Sequence, residues 1–163
     1  MKKTFFLLVL FIFFEFLLFG QARLNISSGS SVPFYFNSYQ KIANGITYTD
    51  YTKLSVTYND TTALHTFPHW RLDVKALNPT IDGDGGNTLN LDILELSATG
   101  AGITTGIRPL TTVDDALLTG AIETGAGTAT VLITYYCGVT NILLGKNPDL
   151  YVIDILFTLM GEN

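Results

Sequence analysis

The stretch HWRLDVKAL, residues 69–77, decides how this chain folds. Apolar and charged side chains alternate along it, so that every second residue from Trp70 to Ala76 is apolar. A period of two residues is typical of a β-strand that buries one of its faces. We therefore predict a strand here, with Trp70, Leu72 and Val74 in the core.

Two later segments show the same alternation. Residues 128–137 are predicted to form a long central strand, because apolar and β-branched residues dominate both of its faces. The chain then closes with an alternating segment at residues 151–159, and a terminal strand of that length is expected to lie inside a sheet. The predicted core faces of these two strands carry Val131, Ile133, Tyr135 and Cys137 in the first and Ile153, Ile155 and Phe157 in the second.

The remaining strands are shorter or less regular. Residues 46–58 predict one long strand or two short ones, and residues 33–37 and 116–122 predict short strands. Between Ile93 and Leu94 the alternation changes phase, which a β-bulge or a change of sheet would cause. The sum is about seven or eight strands, and the predicted fold is an all-β, antiparallel, immunoglobulin-like β-sandwich.

Helix is predicted to be scarce, because Thr, Gly and β-branched residues dominate and no long apolar stripe of period 3.6 appears. One exception is Thr112-Val113-Asp114-Asp115, which has the spacing of a capping box. This spacing predicts a single helical turn from Val113 to Leu118.

The N-terminus has the composition of a secretory signal peptide. Lys2 and Lys3 precede an apolar run, and Gly20-Gln21-Ala22 supplies small residues before a cut that would make Arg23 the first mature residue. The rival interpretation is a membrane anchor, but the apolar run is shorter than the roughly 20 residues of a spanning helix and contains Glu15. We predict a signal peptide at residues 1–22, a single domain at residues 23–163, and a secreted or cell-surface location.

Charge narrows the choice of partners. Charged residues make up only 14% of the chain, and without residues 1–22 the net charge is about −6. Nucleic acids and anionic membranes attract clustered Lys and Arg, whereas here the basic residues stand singly. The charge pattern therefore predicts that neither nucleic acids nor anionic membrane surfaces are partners. We also expect no membrane span after cleavage of the signal, and no cofactor.

Two segments have the residue types of metal ligands. In Asp82-Gly83-Asp84-Gly85-Gly86-Asn87, alternate Asp side chains could converge on calcium, although the EF-hand pattern is incomplete and the stretch is also typical of a polar connection. Asp82 and Asp84 are the candidate ligands. His65 and His69 have the helical spacing of a zinc pair, but Pro68 argues against a helix, and on an extended chain the rings would be about 13 Å apart.

Catalytic motifs are not found in the sequence. There is no G-x-S-x-G elbow for a nucleophilic Ser, and the Gly-rich segments do not match the dinucleotide fingerprint. Two carboxylate pairs, Asp92 with Glu95 and Asp114 with Asp115, could in principle serve a glycosidase. Nothing in the sequence places either pair in a cleft, so we predict that the protein is not an enzyme.

Two side chains of the predicted central strand are of separate interest. Cys137 is the only cysteine, so it is either a buried thiol on the core face or the site of an intermolecular disulfide. Tyr136 points away from that face, and an exposed tyrosine ring can contact a protein or stack on a sugar. Tyr136 is therefore a candidate contact residue.

The order of the strands resembles that of a known class of domains. An early W-x-L-x-V strand at Trp70–Val74 and a late I-x-F-T-L strand at residues 155–159 are similar to those of secreted bacterial surface β-sandwiches of the fimbrial-subunit and WxL-like kind. The resemblance implies a surface subunit that assembles with itself or with another envelope protein. It also leaves cell-wall binding open.

Two functions follow as hypotheses. The first is a non-catalytic structural or adhesive surface protein, for which an apolar patch or an unpaired sheet edge is expected. The alternative is a carbohydrate- or cell-wall-binding module, for which coplanar exposed aromatic rings beside polar side chains are expected. Strand donation by residues 23–32 is a lesser hypothesis, because only Leu24 and Ile26 alternate there.

Overall fold

A computed structural model describes residues 21–59, 69–121 and 127–162. Within these ranges the chain forms one short helix, α1 (Tyr39–Asn44), a 3₁₀ turn (Leu91–Ile93) and a series of strands. The strands are β1 (Gln21–Ser28), β2 (Ile46–Asn59), β3 (His69–Ala76), β4 (Thr80–Gly83), β5 (Thr88–Asn90), β6 (Leu94–Gly100), β7 (Ile103–Thr104), β8 (Arg108–Pro109), β9 (Asp115–Ala121), β10 (Gly127–Cys137), β11 (Tyr151–Val152) and β12 (Ile155–Glu162).

The strands pair antiparallel in three sheets. The large sheet has the order β1-β2-β10-β6-β7, with β8 also paired to β6, and the small sheet has the order β12-β3-β9. A third sheet, β11-β4-β5, forms separately and is called here the end sheet. The predicted antiparallel β-sandwich is confirmed, and the predicted central position of residues 128–137 is confirmed because β10 lies between β2 and β6.

The inner faces of the large and small sheets form one core. Alternation on β3 buries Trp70, Leu72, Val74 and Ala76, as the pattern in the sequence requires. Across the sandwich, β10 contributes Val131, Ile133 and Tyr135, each 3% exposed or less. Cys137, Ile153, Ile155 and Phe157 are only partly buried and pack against the edge of this cluster.

Strand β2 is a single strand with a large bulge. Thr52 pairs with Ile133 and Tyr48 pairs with Tyr135, so β2 has two more residues than β10 between these pairs. Asp50 lies in the bulge with a φ of 51°, a left-handed conformation that Asp tolerates better than most residues. Because the extra residues number two, the core face of β2 is the same on both sides of the bulge.

The change of phase at Ile93 and Leu94 is a change of sheet. Strand β5 belongs to the end sheet and β6 to the large sheet, and the 3₁₀ turn at Leu91–Ile93 connects them. Ile93 and Leu94 are both buried, because the turn reverses which side of the chain faces the core. One of the two causes expected from the sequence is therefore confirmed.

The predicted strand at residues 33–37 is wrong. The segment is not part of any sheet, and α1, which the sequence pattern did not predict, follows it. Pro33 cannot donate a backbone hydrogen bond, which weakens any ladder there. Ser38 caps α1 by accepting a hydrogen bond from the backbone of Lys41 at 3.3 Å.

The predicted helical turn from Val113 to Leu118 is also wrong, because β9 begins at Asp115. A bulge against β3 lets two successive leucines, Leu117 and Leu118, enter the core, each 3% exposed or less. A helical turn would expose at least one of them. Burial of both outweighs the modest stabilisation from a capping box.

The predicted strand at residues 151–159 has a different position in the sheets from the one expected. It divides at Ile153 and Asp154 into β11, in the end sheet, and β12, which among the described strands pairs only with β3 and forms an edge of the small sheet. The expectation that it lies inside a sheet is therefore wrong.

The predicted signal peptide falls almost wholly outside the described residues, and within those residues no helix has the length and apolar character needed to cross a membrane.

A glycine opposite the only tryptophan makes the packing of the small sheet possible. Gly120 on β9 pairs with Trp70 on β3, and a Cβ at Gly120 would overlap the indole ring. We predict that Gly120→Ala lowers the free energy of unfolding by about 1–3 kcal/mol, the usual effect of overpacking a core. Urea unfolding followed by circular dichroism measures the change.

The matched control for this prediction is Gly106→Ala. Gly106 has a negative or extended φ, and a Cβ there would meet nothing within 4 Å. Its stability is expected to stay within about 0.5 kcal/mol of the parent. Equal stability of the two variants would show that the close packing of Trp70 on Gly120 is not needed.

Candidate interaction surface

One side of the sandwich is formed by two edge strands. β1 is the edge of the large sheet and β12 is the edge of the small sheet, and each has a single ladder partner among the described strands. The two strands lie close to each other where the sheets approach along this side. We call this region, defined by β1 and β12, the open side.

The open side is lined by apolar residues that are not fully covered. On β1, Leu24 packs against the core and Ile26 is 44% exposed. On β12, the residues that face inward are only half-buried, although their neighbours on β3 are fully buried. These half-buried residues of β12 are Ile155, Phe157 and Leu159.

Charged side chains on the outer face of the small sheet connect β3 to β12. The Arg71 guanidinium donates to both oxygens of Asp73, at 2.7 and 2.9 Å, and to Glu162 on β12 at 3.3 Å. Asp73 is 1% exposed, so Arg71 provides the positive charge that this buried carboxylate requires. The hydrogen bond and charge of Asp73, with a smaller contribution from Glu162, raise the pKa of Arg71 above its ordinary value.

A second feature lies where β1 ends. Residues 29–37, called here the strap, run from β1 to α1 beside the first half of β2. Four aromatic rings form a stack, called here the aromatic stack, with ring centroids 6.5, 5.0 and 5.2 Å apart. Its members, in order, are Phe36 and Phe34 from the strap and Tyr48 and Tyr51 from β2.

The aromatic stack bears on the carbohydrate hypothesis. Its successive rings are inclined by 17 to 26°, so they stack on one another. A platform that binds sugars needs ring faces open to solvent, and here Phe34 and Tyr48 use their faces to contact neighbouring rings. The aromatic stack therefore does not present an open platform for a sugar, and carbohydrate binding stays a prediction.

Of the predicted calcium ligands, Asp82 lies in β4 and Asp84 in the turn between β4 and β5. Asp82 accepts a hydrogen bond from Thr80 at 2.6 Å, and the loop beyond it wraps around the carboxylate of Asp149. Asp149 accepts from the backbone of Gly85 at 3.0 Å and from the side chain of Asn87 at 2.9 Å. The loop therefore converges N–H groups on a carboxylate, and calcium binding by Asp82 and Asp84 stays a prediction.

Asp149 was not singled out by the sequence pattern. Hydrogen bonds with the side chains of Asp84 and Asn87, then with the backbone of Gly85 and Leu150, hold the pKa of Asp149 far below its ordinary range. Gly83 also leaves room for it, since a Cβ at Gly83 would overlap the Asp149 carboxylate. The position of Asp149 beyond a long irregular loop gave no local signal of this role.

The other candidate residues are dispersed. Tyr136 lies on the outer face of β10, half-buried, with its hydroxyl 3.3 Å from that of Ser97. His69 is exposed, and His65 lies outside the described residues. The carboxylates proposed in pairs take part in separate contacts: Glu95 with Thr140, Asp114 with Lys75, and Asp115 with Arg108.

Two neighbouring hollows lie on the described part of the surface. One of about 330 Å³ is lined by Asp92, Asn141 and Lys146, and a neighbouring one of about 480 Å³ by Leu91, Pro109 and nearby residues. Both are wide open to solvent. Among the described residues no three His, Cys, Asp or Glu side chains come together as metal ligands would.

Cys137 is half-buried at the end of β10, and burial raises the pKa of its thiol to about 12. Only the thiolate attacks disulfides, so a raised pKa slows both modification and intermolecular exchange.

Comparison with known proteins finds distant structural likenesses only. No family model and no curated protein matches the sequence. The fold is similar to the P pilus rod subunit PapA, with 13% identity, a TM-score of 0.43, and 85% of this chain and 99% of that chain covered. It is also similar to the CupB6 tip adhesin from Pseudomonas aeruginosa, with 10% identity, a TM-score of 0.39, and 85% of this chain and 43% of that chain covered.

The loop around Asp149 predicts a dependence of stability on pH. Because the pKa of Asp149 is lowered by folding, its stabilising effect is present above the unfolded pKa of about 3.9 and is lost as the pH falls toward the lowered value. We expect Asp149→Asn to lower the melting temperature at neutral pH and to reduce the loss of stability between about pH 4 and pH 2. Thermal unfolding followed by circular dichroism measures both effects.

Asp154→Asn is the matched control, since this exposed carboxylate nearby has no side-chain hydrogen bond among the described residues. A pH profile shared by both variants and the parent would contradict the role assigned to Asp149.

The half-buried thiol of Cys137 gives a second prediction. In the folded protein at about pH 8, Cys137 is expected to react with Ellman's reagent far more slowly than a free thiol of ordinary pKa, because almost none of it is thiolate. Denaturant should restore the ordinary rate. Fast reaction without denaturant, or a disulfide-linked dimer on non-reducing gels, would contradict this assignment.

Proposed function

We propose that this chain is exported and acts as a non-catalytic structural or adhesive surface protein through contacts with other proteins. The observation that supports the proposal is the open side, where the edges of β1 and β12, each with one ladder partner among the described strands, lie next to each other. A sheet edge presents unpaired N–H and C=O groups, and a further strand can pair with them. Half-buried apolar side chains beneath these edges add a driving force for such pairing.

The chemistry of the open side defines its partner. The inward residues of both strands are aliphatic or aromatic, as Ile26 and Phe157 illustrate, and the exported chain has a net charge of about −6. A partner that satisfies both the backbone edge and the apolar row is an extended protein segment with alternating apolar side chains. Such a segment belongs either to a second copy of this chain or to another envelope protein.

Export is the part of the proposal that depends on the sequence alone. Residues 1–22 have the charge, apolar run and small residues of a secretory signal, and they would place the domain outside the cytoplasm. The domain would then meet partners at the cell surface.

The proposal predicts that a charge on the inner face of β1 abolishes assembly. Ile26→Lys would place an ammonium group in the apolar row, where its desolvation opposes any added strand. The protein purified from the producing cell is expected to self-associate in sedimentation velocity, or to be retained by purified envelope, and Ile26→Lys should lose this binding at least tenfold.

Asn25→Lys is the matched control, because Asn25 is the neighbouring residue on the exposed outer face of the same strand. It should bind as the parent does. Protease treatment of the envelope should remove a protein partner. Retention by insoluble polysaccharide alone, unaffected by Ile26→Lys, would overturn the proposal in favour of a carbohydrate-binding module.

A further inference from the structure

The strap is attached to the sandwich in an unusual way. Within the described ranges, residues 29–37 make no backbone-to-backbone hydrogen bond, although they run beside β2. The strap begins at Gly29, whose φ of +70° is left-handed and whose Cα lies against the backbone of Tyr51 and Thr52. A strand in this place would be held by a ladder, and the strap is held by side chains instead.

Three side chains donate hydrogen bonds to carbonyl groups of the strap. Thr52 donates to Gly29 at 2.6 Å, Tyr48 donates to Pro33 at 2.9 Å, and Lys41 donates to the Tyr35 carbonyl at 3.4 Å. Thr52 in turn accepts a hydrogen bond from the buried hydroxyl of Tyr135 at 2.9 Å. The anchor at Gly29 is therefore linked to the core, whereas those at Pro33 and Tyr35 are exposed.

Apolar contacts supply the rest of the attachment. Val32 and Phe34 are half-buried against the edge of the core, and Phe34 stacks on Tyr48 with centroids 5.0 Å apart. The alternate residues Pro33, Tyr35 and Asn37 are exposed, Tyr35 by 66%. So few contacts at the surface give a segment a low free energy of local opening.

The strap covers a part of β2 that lacks a second strand. β2 pairs with β10 along most of its length, but β1 pairs with β2 only from Lys53 onward. The half of β2 before Lys53 therefore has the strap, and no ladder among the described residues, on its other side. Tyr48 and Tyr51 lie in this half.

We propose that the strap is a displaceable cover that opens as a unit while the sandwich stays folded. Opening hinges at Gly29 and at the start of α1, and it breaks the contacts of Tyr48 with Pro33 and Phe34. It uncovers the aromatic side chains of β2 and the unpaired edge beside them. This device is separate from the open side, so neither proposal depends on the other.

Chymotrypsin cleavage of the whole chain tests the proposal, because Phe34, Tyr35 and Phe36 are sites for this protease. Trp70, the only tryptophan, is buried in the core, and its fluorescence reports global unfolding. Cleavage mapped to residues 34–36 is expected to depend much less on urea than the Trp70 transition does, because local opening exposes less surface. Cleavage with the same urea dependence as that transition would overturn the proposal.

A pair of tyrosine variants separates opening from direct attack on the closed strap. Tyr48→Phe removes the hydroxyl that bonds Pro33 and keeps the ring, and it should speed cleavage at residues 34–36 about fivefold, as expected for one lost hydrogen bond. Tyr151→Phe removes an equivalent bond, from Tyr151 to the Asn147 carbonyl at 2.7 Å, in a different loop and should leave this rate unchanged. An unchanged rate in Tyr48→Phe, or an equal increase in both variants, would overturn the proposal.

Discussion

The placement of the other strands depends on one constraint, which is that the facing surfaces of β3 and β10 must be kept away from water. Trp70, Leu72 and Val74 on one strand and Val131 and Ile133 on the other are almost completely buried. Burial of side chains of this size contributes about 1.5–3 kcal/mol each, against about 0.5–1.5 kcal/mol for a typical hydrogen bond between neutral groups. Strands β2, β6 and β9 cover this core from the sides. The edge strands β1 and β12 cover the remaining side only in part.

The two central strands could be predicted from the sequence because their alternation is strict and both of their faces are specified. The edge position of β12 could not be predicted, because Ile155, Phe157 and Leu159 alternate in the same way whether or not a neighbour covers them. Pairing is a long-range property, and a period of two residues shows which face is buried without showing which strand lies alongside. The same limit applies to β9, where a bulge sends Leu117 and Leu118 inward together and overrides the local capping signal at Thr112.

The candidate surfaces depend even more than the strands do on contacts between residues that are far apart in the sequence. Asp82 and Asp84 could be recognised as candidate ligands because they are carboxylates in a Gly-rich stretch. The loop, however, is arranged around Asp149, which lies far along the chain. Tyr48 and Phe34 were recognisable only as aromatic residues, and the two-residue bulge at Asp50 brings Tyr51 onto the same stack. Buried polar groups follow the same rule: Asp73 needs Arg71, and Tyr135 needs Thr52, whose own hydroxyl fixes the start of the strap.

The order of the strands along the chain has a consequence for biosynthesis. β3 is the middle strand of the small sheet, and it leaves the ribosome long before its partners β9 and β12. Its apolar face and one of its ladders wait for β12, which is the last of the described strands along the chain. The small sheet therefore cannot be completed before β12 has been synthesised, because a ladder between distant strands needs both of them. Until β12 emerges, the apolar face of β3 is only partly covered, and exposed apolar surface of this kind makes an incomplete chain prone to aggregation.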